Sequence, residues 1–312
     1  ILNKKCILAR GATLIITDEY RHWKKELKLL LEILKKRKGR WKEDIFIRVL
    51  RFVRQKLHCK PIWLLKDRAA NADDNAEAMF IHLCEKHPEV NAYFVIDKTS
   101  PDGKRLERTG KICPFASRKN RILDALATVW LSSHSRSWLV PNEAQNHALR
   151  DFVALRPFIF LQHGIIQSYI GWCRRDASNF SGFVTTVERE WRSIIESAYG
   201  YSKREVWLTG LPRFDRLYHN EKRQIVIMPT WRQYFFEKLN PSTGTWIPRS
   251  GFSNTAYFNF YNSLLSHPRL LSAAKEFNYR LLFFAHPTMR LSGLADMLDC
   301  SLIEVLPGTT SY

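Results

Sequence analysis

The sequence lacks the features that mark several common protein classes. Its six cysteines form no CxxC pair, so neither a cysteine-based zinc site nor a redox motif is indicated. Its longest apolar runs, such as residues 158–161 and 281–285, are far shorter than the roughly 20 residues of a bilayer-spanning helix. No charged-then-apolar leader with a small-residue cleavage site follows Ile1. We therefore expect reduced thiols, no membrane span and no signal peptide.

Acidic residues are scarce relative to basic ones. The 312 residues include 30 Asp and Glu against 49 Lys and Arg, which gives a formal net charge of +19. Such a balance fits an anionic partner, and nucleic acid, an anionic membrane surface and a polyphosphate substrate all satisfy it. An apolar content of 45% over this length is that of a folded chain, and two domains are more typical than one at this size.

The first 60 residues predict a basic amphipathic helical segment. Leucines recur at helical spacing in a Lys-rich stretch (Leu27, Leu30, Leu31, Leu34), and a second apolar stripe follows among arginines (Ile45, Phe46, Val49, Leu50, Phe52, Val53). With Trp23 and Trp41 beside the stripes, the helices fit the headgroup layer of an anionic membrane. The alternative is a pair of helices packed on the protein's own body with a solvated basic face.

After Pro61, short apolar runs alternate with polar helical stretches, which is typical of parallel α/β units. We predict an N-terminal domain over residues 61–200 and a C-terminal domain over residues 201–312. The predicted strands span 62–66, 92–96, 129–132, 157–161, 183–187, 206–209, 224–228 and 279–285. The predicted helices span 74–86, 119–127 and 188–198. Residues 240–254, rich in Pro, Gly, Ser and Thr, read as a surface loop.

Two histidines directly follow predicted strands. His163 comes after the run ending in Leu161, and His286 comes after the run ending in Ala285. The carboxyl edge of a parallel sheet is where α/β proteins bind ligands, and an imidazole there can take a proton from an attacking hydroxyl. A single strand-end histidine is also often just a hydrogen-bonded structural residue. Two of them, one in each unit, are what a cleft between two facing domains would need.

Arginines recur in turns after the strands. Gly210 and Pro212 force a sharp turn that presents Arg213 and Arg216 beside Asp215, and guanidinium groups suit phosphate oxygens. The alternative is an Arg–Asp ion pair that pins the loop. Trp231 and Arg232 follow the next strand, where a ring could stack and a guanidinium could meet phosphate, although a core Trp with an extended Arg is the commoner arrangement.

The set of motifs resembles the CDP-glycerol glycerophosphotransferase family, which includes teichoic acid polymerases and related capsule polymerases. The matching stretches are Gln162-His163-Gly164, Thr209-Gly210-Leu211-Pro212-Arg213-Phe214-Asp215, Pro229-Thr230-Trp231-Arg232 and His286-Pro287, with Lys66-Asp67-Arg68, Asp73-Asp74-Asn75, Glu77 and Tyr93-Phe94-Val95-Ile96 upstream. The resemblance covers residues 61–312. The family has a further motif, an Asp-Tyr-Ser-Ser run, that this sequence does not contain. The resemblance therefore implies a C-terminal domain that is incomplete in this chain.

The resemblance implies an α/β fold of two Rossmann-like domains in the GT-B architecture, with the active site in the cleft. It implies that a polymer hydroxyl attacks the β-phosphorus of a CDP-polyol and that CMP departs. His163 matches the general base and His286 matches the second catalytic histidine, near the donor phosphates. The expected donor and phosphate contacts are Gly164, Arg213, Asp215, Thr230, Arg232, Pro287 and Arg290.

The expected partners are a CDP-polyol donor, a polymer or lipid-linked acceptor and an anionic membrane surface, with no nucleic acid. The expected place is the cytoplasm, peripheral at the inner face of the cell membrane. No metal and no cofactor are expected, because no cluster with metal-ligand spacing is evident. Two alternatives stay open: a GT-B nucleotide-sugar glycosyltransferase of surface polysaccharide synthesis, and a non-catalytic basic protein that binds membrane or nucleic acid.

Overall fold

The computed structural model describes residues 23–36, 40–135, 156–240 and 245–307. The chain divides into two compact units, and the division falls between Leu217 and Tyr218. We had placed the boundary after residue 200, with the strand around Val206 opening the second domain. That strand instead pairs with its predecessor in the first sheet, so the first unit extends further along the chain. Residues 1–22 of the expected basic segment and the last residues, 308–312, lie outside the described residues.

The first unit is built on a parallel sheet of seven strands. In chain order the strands are β1 (Ile62–Lys66), β2 (Asn91–Ile96), β3 (Ile112–Pro114), β4 (Val129–Ser132), β5 (Phe158–Phe160), β6 (Gly182–Thr185) and β7 (Val206–Leu208). Their spatial order is β3-β2-β1-β4-β5-β6-β7, which is the arrangement of a doubly wound sheet. The order reverses between β1 and β4, and this reversal is where such sheets bind ligands.

Helices cover both faces of this sheet. They are α1 (Trp23–Lys36), α2 (Trp41–Lys56), α3 (Asn75–Lys86), α4 (Pro101–Leu106), α5 (Arg118–Leu126), α6 (Arg175–Ser178) and α7 (Glu188–Glu196). Successive strand residues point to opposite faces, so Leu64 joins one buried cluster and Leu65 joins the other. Because both faces are buried, the strands consist of nearly continuous apolar residues, which explains why the sequence predicted most of them correctly.

Helix α2 packs on the first unit through a largely polar side that also buries Ile47 against Ala125 of α5. Asp44, Ile47 and Arg48 are buried, and the Arg121 guanidinium on α5 pairs with both Glu43 and Asp44. The apolar stripe of α2 faces outward instead: Phe46, Val49, Phe52 and Val53 are each between 41% and 50% exposed. The alternative of helices packed on the protein's own body is therefore correct in that α2 contacts the body. It is wrong in that the largely polar side of α2 makes this contact, while the apolar stripe faces outward.

The second unit contains a three-stranded parallel sheet and a short hairpin. Strands β8 (Gln224–Ile227), β11 (Arg280–Phe283) and β12 (Glu304–Val305) lie in the order β12-β11-β8. The hairpin strands β9 (Phe236–Leu239) and β10 (Trp246–Pro248) pair antiparallel, so part of the expected loop 240–254 is strand. The helices are α8 (Ala256–Leu265), α9 (Pro268–Glu276) and α10 (Pro287–Leu291).

The sequence analysis failed to predict the shortest strands and the helices α4, α6, α8, α9 and α10. The edge strand β3, the hairpin and β12 have two to four residues each, too few to show a periodic pattern. Along the stretches that the structure describes, no helix is both long and apolar enough to cross a bilayer.

Candidate functional site

Polar side chains from three neighbouring strands meet at the carboxyl edge of the first unit's sheet. Asp67 follows β1, His134 follows β4 and His163 follows β5. Because these strands are parallel neighbours, their carboxyl ends lie at one edge, on either side of the point where the strand order reverses. The sheet topology therefore assembles a group that is dispersed along the sequence.

The centre of the group is a contact between His163 and Asp74. His163 Nδ1 lies 2.5 Å from Asp74 Oδ2. The Asp74 side chain is 6% exposed and caps the first turn of α3 through the Asn75 backbone N–H, whereas the His163 side chain is 54% exposed. In a neutral imidazole, a hydrogen bond from Nδ1–H to a buried carboxylate selects the tautomer whose Nε2 carries no proton. This arrangement turns an exposed histidine into an oriented base.

Arg213 holds the second oxygen of the same carboxylate. Gly210 adopts φ +82°, which L side chains rarely do, and the turn it permits leads into a 3-10 helix over Pro212–Arg216. From there Arg213 Nη1 donates to Asp74 Oδ1 at 2.7 Å. Burial by itself raises the pKa of Asp74, but the hydrogen bond from His163 and the positive charges of His163 and Arg213 outweigh it and lower that pKa.

The position of Arg213 differs from our expectation. We had grouped Arg213 with Arg232 and His286 on strands of one unit, but the turn that carries Arg213 belongs to the first unit and touches α3. The reason is that β7, the strand before the turn, closes the first sheet. Arg213 does pair with an aspartate, but the partner is the distant Asp74 rather than Asp215 of its own turn, and the pair supports a histidine as well as the loop.

Asn75 ties three segments of the site together. Its Nδ2 donates to the Gln162 backbone carbonyl at 3.0 Å, and its Oδ1 accepts from the Arg213 backbone N–H at 3.1 Å. The side chain is fully buried. The start of α3, the turn before His163 and the turn before Arg213 are thus fixed to one another by a single amide.

His134 is the nearest aromatic neighbour of the His163 imidazole within the described residues. The two ring centroids are 4.9 Å apart, and His134 Nε2 lies 3.9 Å from Asp74 Oδ2. Burial, followed by the positive charges of His163 and Arg68, lowers the pKa of His134 to about 4. His134 is therefore neutral at pH 7, and it adds no positive charge beside His163.

Asp74, His134 and His163 are also a group that could hold a metal ion. The ligand atoms of Asp74, His134 and His163 all lie within 4.8 Å of one another, and they are the one such group in the ranges that the structure describes. Both oxygens of Asp74, however, already accept hydrogen bonds from His163 and Arg213. We therefore assign the carboxylate to His163 and Arg213.

A second buried carboxylate, Asp67, supports the same corner. It accepts hydrogen bonds from the Ala76 and Glu77 backbone N–H groups and from Ser133 Oγ. Burial, reinforced by the charge of Asp74, raises the pKa of Asp67 to about 7. Asp67 thus fixes the first turn of α3, whose cap is Asp74, to the residue before His134.

In the second unit His286 caps α10. Its Nδ1 accepts from the Thr288 backbone N–H at 3.1 Å, and its ring stacks 6.2 Å from Trp231. Pro287 is the first residue of that helix, and the Arg290 guanidinium lies 5.2 Å over the Phe284 ring. An Nδ1 that accepts a hydrogen bond leaves the proton of the neutral ring on Nε2.

The remaining expected residues of the second unit are placed around Trp231. That ring packs against Phe236 and Trp246 as part of a hydrophobic cluster, which is the core arrangement allowed for from the sequence. Thr230 is exposed, and its carbonyl accepts from the Tyr257 hydroxyl at 2.9 Å. Arg232 is also exposed. In the first unit, Gly164 is half-buried next to His163, and Asp215 is exposed.

The sequence analysis missed two residues of the site, His134 and Glu190. It also gave Asp74 and Asn75 no individual role, because they appeared only as part of a motif. His134 follows a strand just as His163 does, so the strand-end pattern could have found it. Glu190, a buried residue on α7 that accepts hydrogen bonds from both sides of the His163 turn, carries no local signal, because its partners Gln162 and Ile166 lie more than 20 residues away.

Comparisons with known proteins agree on one family. A family model described as CDP-Glycerol:Poly(glycerophosphate) glycerophosphotransferase matches residues 46–295. The minor teichoic acid biosynthesis protein GgaB of Bacillus subtilis (strain 168) is 36% identical over 281 residues, which cover 89% of this chain but 31% of that protein. Two structures of the wall teichoic acid polymerase TagF, one soaked with CDPG, superpose with TM-scores of 0.52 and 0.51 at 13% and 12% identity. The two superpositions each cover 92% of this chain, and they cover 70% and 71% of the respective TagF chains. They show that the fold is shared.

Proposed function

Because the chain belongs to the CDP-glycerol:poly(glycerophosphate) glycerophosphotransferase family, we propose that it transfers a polyol phosphate from a CDP-activated donor to a polymer acceptor in teichoic acid synthesis. The observation that carries the proposal is the His163–Asp74 contact. The two units correspond to the two Rossmann-like domains of the GT-B architecture. The first unit supplies the base, and the second unit binds the donor.

In this mechanism His163 acts as the general base. Its Nε2 takes the proton of an acceptor hydroxyl as that oxygen forms a bond to the β-phosphorus of the donor. The bond from this phosphorus to the bridging oxygen breaks, and the electron pair leaves on CMP. Asp74 stabilises the imidazolium that forms, because its carboxylate is already oriented by Arg213.

The second unit fits the donor side of the reaction. With Nδ1 of His286 accepting from Thr288, the neutral ring carries its proton on Nε2 and can donate it in a hydrogen bond to a phosphate oxygen. Protonation at Nδ1 would remove the hydrogen bond that caps α10, so the neutral ring is the form that keeps this cap. Arg232 and Arg290 supply positive charge for the departing phosphate.

Replacing His163 tests the base directly. In the full-length protein, His163→Ala should lower turnover at least about a hundredfold, the lower range of general-base contributions. His87→Ala is the matched control, because that imidazole is exposed and its contacts, Glu89 and the His82 ring, lie outside the site. Near wild-type turnover in the His163 variant would defeat the assignment.

The donor is tested by offering CDP-glycerol, CDP-ribitol and nucleotide-sugars in parallel. Release of CMP from a CDP-polyol supports the proposal. Turnover of nucleotide-sugars alone would favour the glycosyltransferase alternative, in which transfer occurs at carbon rather than phosphorus. No turnover combined with salt-sensitive binding to DNA would favour the non-catalytic alternative.

We also propose that helices α1 and α2 dock the protein on the anionic inner face of the cell membrane, where a lipid-linked acceptor would be displayed. Apolar side chains of both helices face outward (Leu27, Leu31, Leu34, Phe46, Val49, Phe52, Val53). Lys42 and Lys56 are exposed beside them, as the headgroup layer requires. The docking of α2 through its polar side supports this reading, because it leaves the apolar side unpartnered by α5.

The docking is tested by flotation with anionic and with neutral vesicles. The double variant Phe46→Ser/Phe52→Ser should lose at least about tenfold in binding to anionic vesicles, since each buried phenyl group contributes on the order of 1.5–3 kcal/mol. Phe260→Ser/Phe277→Ser is the matched control, as both rings are 60% exposed in the second unit. Equal binding by the two double variants would rule the docking out.

A further inference from the structure

We propose that Glu190 is a positioning residue that fixes the His163 turn, an inference that rests on His163 being the base. Glu190 Oε1 accepts from Gln162 Nε2 at 3.0 Å and from the Ile166 backbone N–H at 2.7 Å. One carboxylate oxygen therefore holds the residue before His163 and a residue shortly after it. A turn anchored on both sides cannot shift without breaking one of these hydrogen bonds.

The other oxygen anchors Glu190 itself to the sheet. Oε2 accepts from the Thr186 backbone N–H at 2.7 Å and from the Thr186 hydroxyl at 2.8 Å, directly after β6. The Glu190 residue is 3% exposed. Its four accepted hydrogen bonds match the capacity of a carboxylate, which has about four lone-pair sites. The anchor is thus a rigid strand end rather than a surface loop.

The turn needs such an anchor because of its backbone and its exposure. Gln162 adopts φ +64°, a left-handed conformation that costs a non-glycine residue on the order of 1–3 kcal/mol and persists where surrounding contacts over-determine it. The His163 side chain is more than half exposed, so packing contributes little to its position. The placement of its ring beside Asp74 therefore depends on the turn. Asn75 and Glu190 hold this turn together with the Val184 carbonyl, which also accepts from Gln162 Nε2.

Glu205 offers a matched control for the role of Glu190. It is also buried, and it also accepts from the backbone N–H and the hydroxyl of one residue, Ser202, at 2.9 Å each. It also pairs with Arg175, and both Ser202 and Arg175 lie outside the His163 turn. Replacing either carboxylate with an amide leaves one acceptor oxygen where there were two. Both variants should lower the melting temperature, whereas Glu190→Gln alone should disturb His163.

The experiment measures steady-state kinetics of Glu190→Gln and Glu205→Gln in the full-length protein. We expect kcat to fall at least about tenfold in the Glu190 variant with the donor KM within twofold, because displacing a catalytic group by about 1 Å can cost up to 10²-fold in rate. The Glu205 variant should keep kcat within twofold. Equal kcat values at equal losses of melting temperature would overturn the proposal. If Glu190→Gln does not fold, Glu190→Asp, which keeps the charge but shortens the reach, is judged by the same criteria.

A double-mutant cycle separates this proposal from the assignment of the base. If Glu190 acts through His163, adding Glu190→Gln to His163→Ala should leave the residual rate unchanged within twofold, as measured in extended incubations. A further tenfold loss in that background would overturn the positioning role while leaving the base intact. Near wild-type turnover of His163→Ala alone would instead refute the proposed function.

Discussion

Replacing Asp74 with Asn isolates the contribution of the carboxylate to the His163 base. Asn is as good a helix N-cap as Asp, so α3 should keep its first turn. The substitution removes the charge that faces both His163 and Arg213. Hydrogen bonds to charged groups contribute roughly 1.5–3 kcal/mol. If all of this energy stabilises the transition state, its loss lowers kcat by about ten- to 150-fold. An amide that donates to Nδ1 would select the wrong tautomer and deepen the loss towards about 10⁴-fold.

The assay is turnover of the CDP-polyol at saturating donor, with thermal unfolding measured in parallel. Asp73→Asn is the matched control, because it removes the same charge one residue away at an exposed position. Its φ of +69° is also one that Asn tolerates. Asp73→Asn should keep kcat within twofold. A kcat for Asp74→Asn within twofold of wild type, in a protein that unfolds at a similar temperature, would refute the reasoning.

Three further outcomes are expected. Burial holds the pKa of Asp67 near 7 rather than 3.8, so the folded state keeps a proton that the unfolded state releases, and the free energy of unfolding should fall as pH rises from about 4 to about 7. Asp67→Asn should remove up to about 4 kcal/mol of this fall, as measured by thermal unfolding at a series of pH values. Arg121→Met removes the guanidinium that pairs with buried Asp44 and should lower the free energy of unfolding by about 3–5 kcal/mol in denaturant unfolding. Arg118→Met, at an exposed position, should lower it by less than about 1 kcal/mol. Equal losses in the two variants would contradict the buried pair. His286→Ala should weaken donor binding or turnover by about one to two orders of magnitude with acceptor affinity unchanged, and unchanged donor kinetics would remove His286 from the donor site.

The sequence by itself determined the local elements and where chemistry could occur. Strands buried on both faces are nearly continuous apolar runs, so β1, β2 and β4 could be predicted nearly to the residue. The place of His163 after such a run followed from the same pattern, and so did the sharp turn that carries Arg213. These properties depend on neighbouring residues and on backbone preferences, which the sequence states directly.

Only the tertiary structure decided which of these residues act together. Asp74 and His163 are 89 positions apart, and Arg213 is 139 positions from Asp74, so no local pattern connects them. Pairing of β7 with β6 placed Arg213 in the first unit, and the carboxyl ends of β1, β4 and β5 came together because those strands are parallel neighbours. The outward apolar face of α2 was likewise decided by a distant residue, Arg121, because a buried ion pair holds the polar side of that helix against the body of the protein.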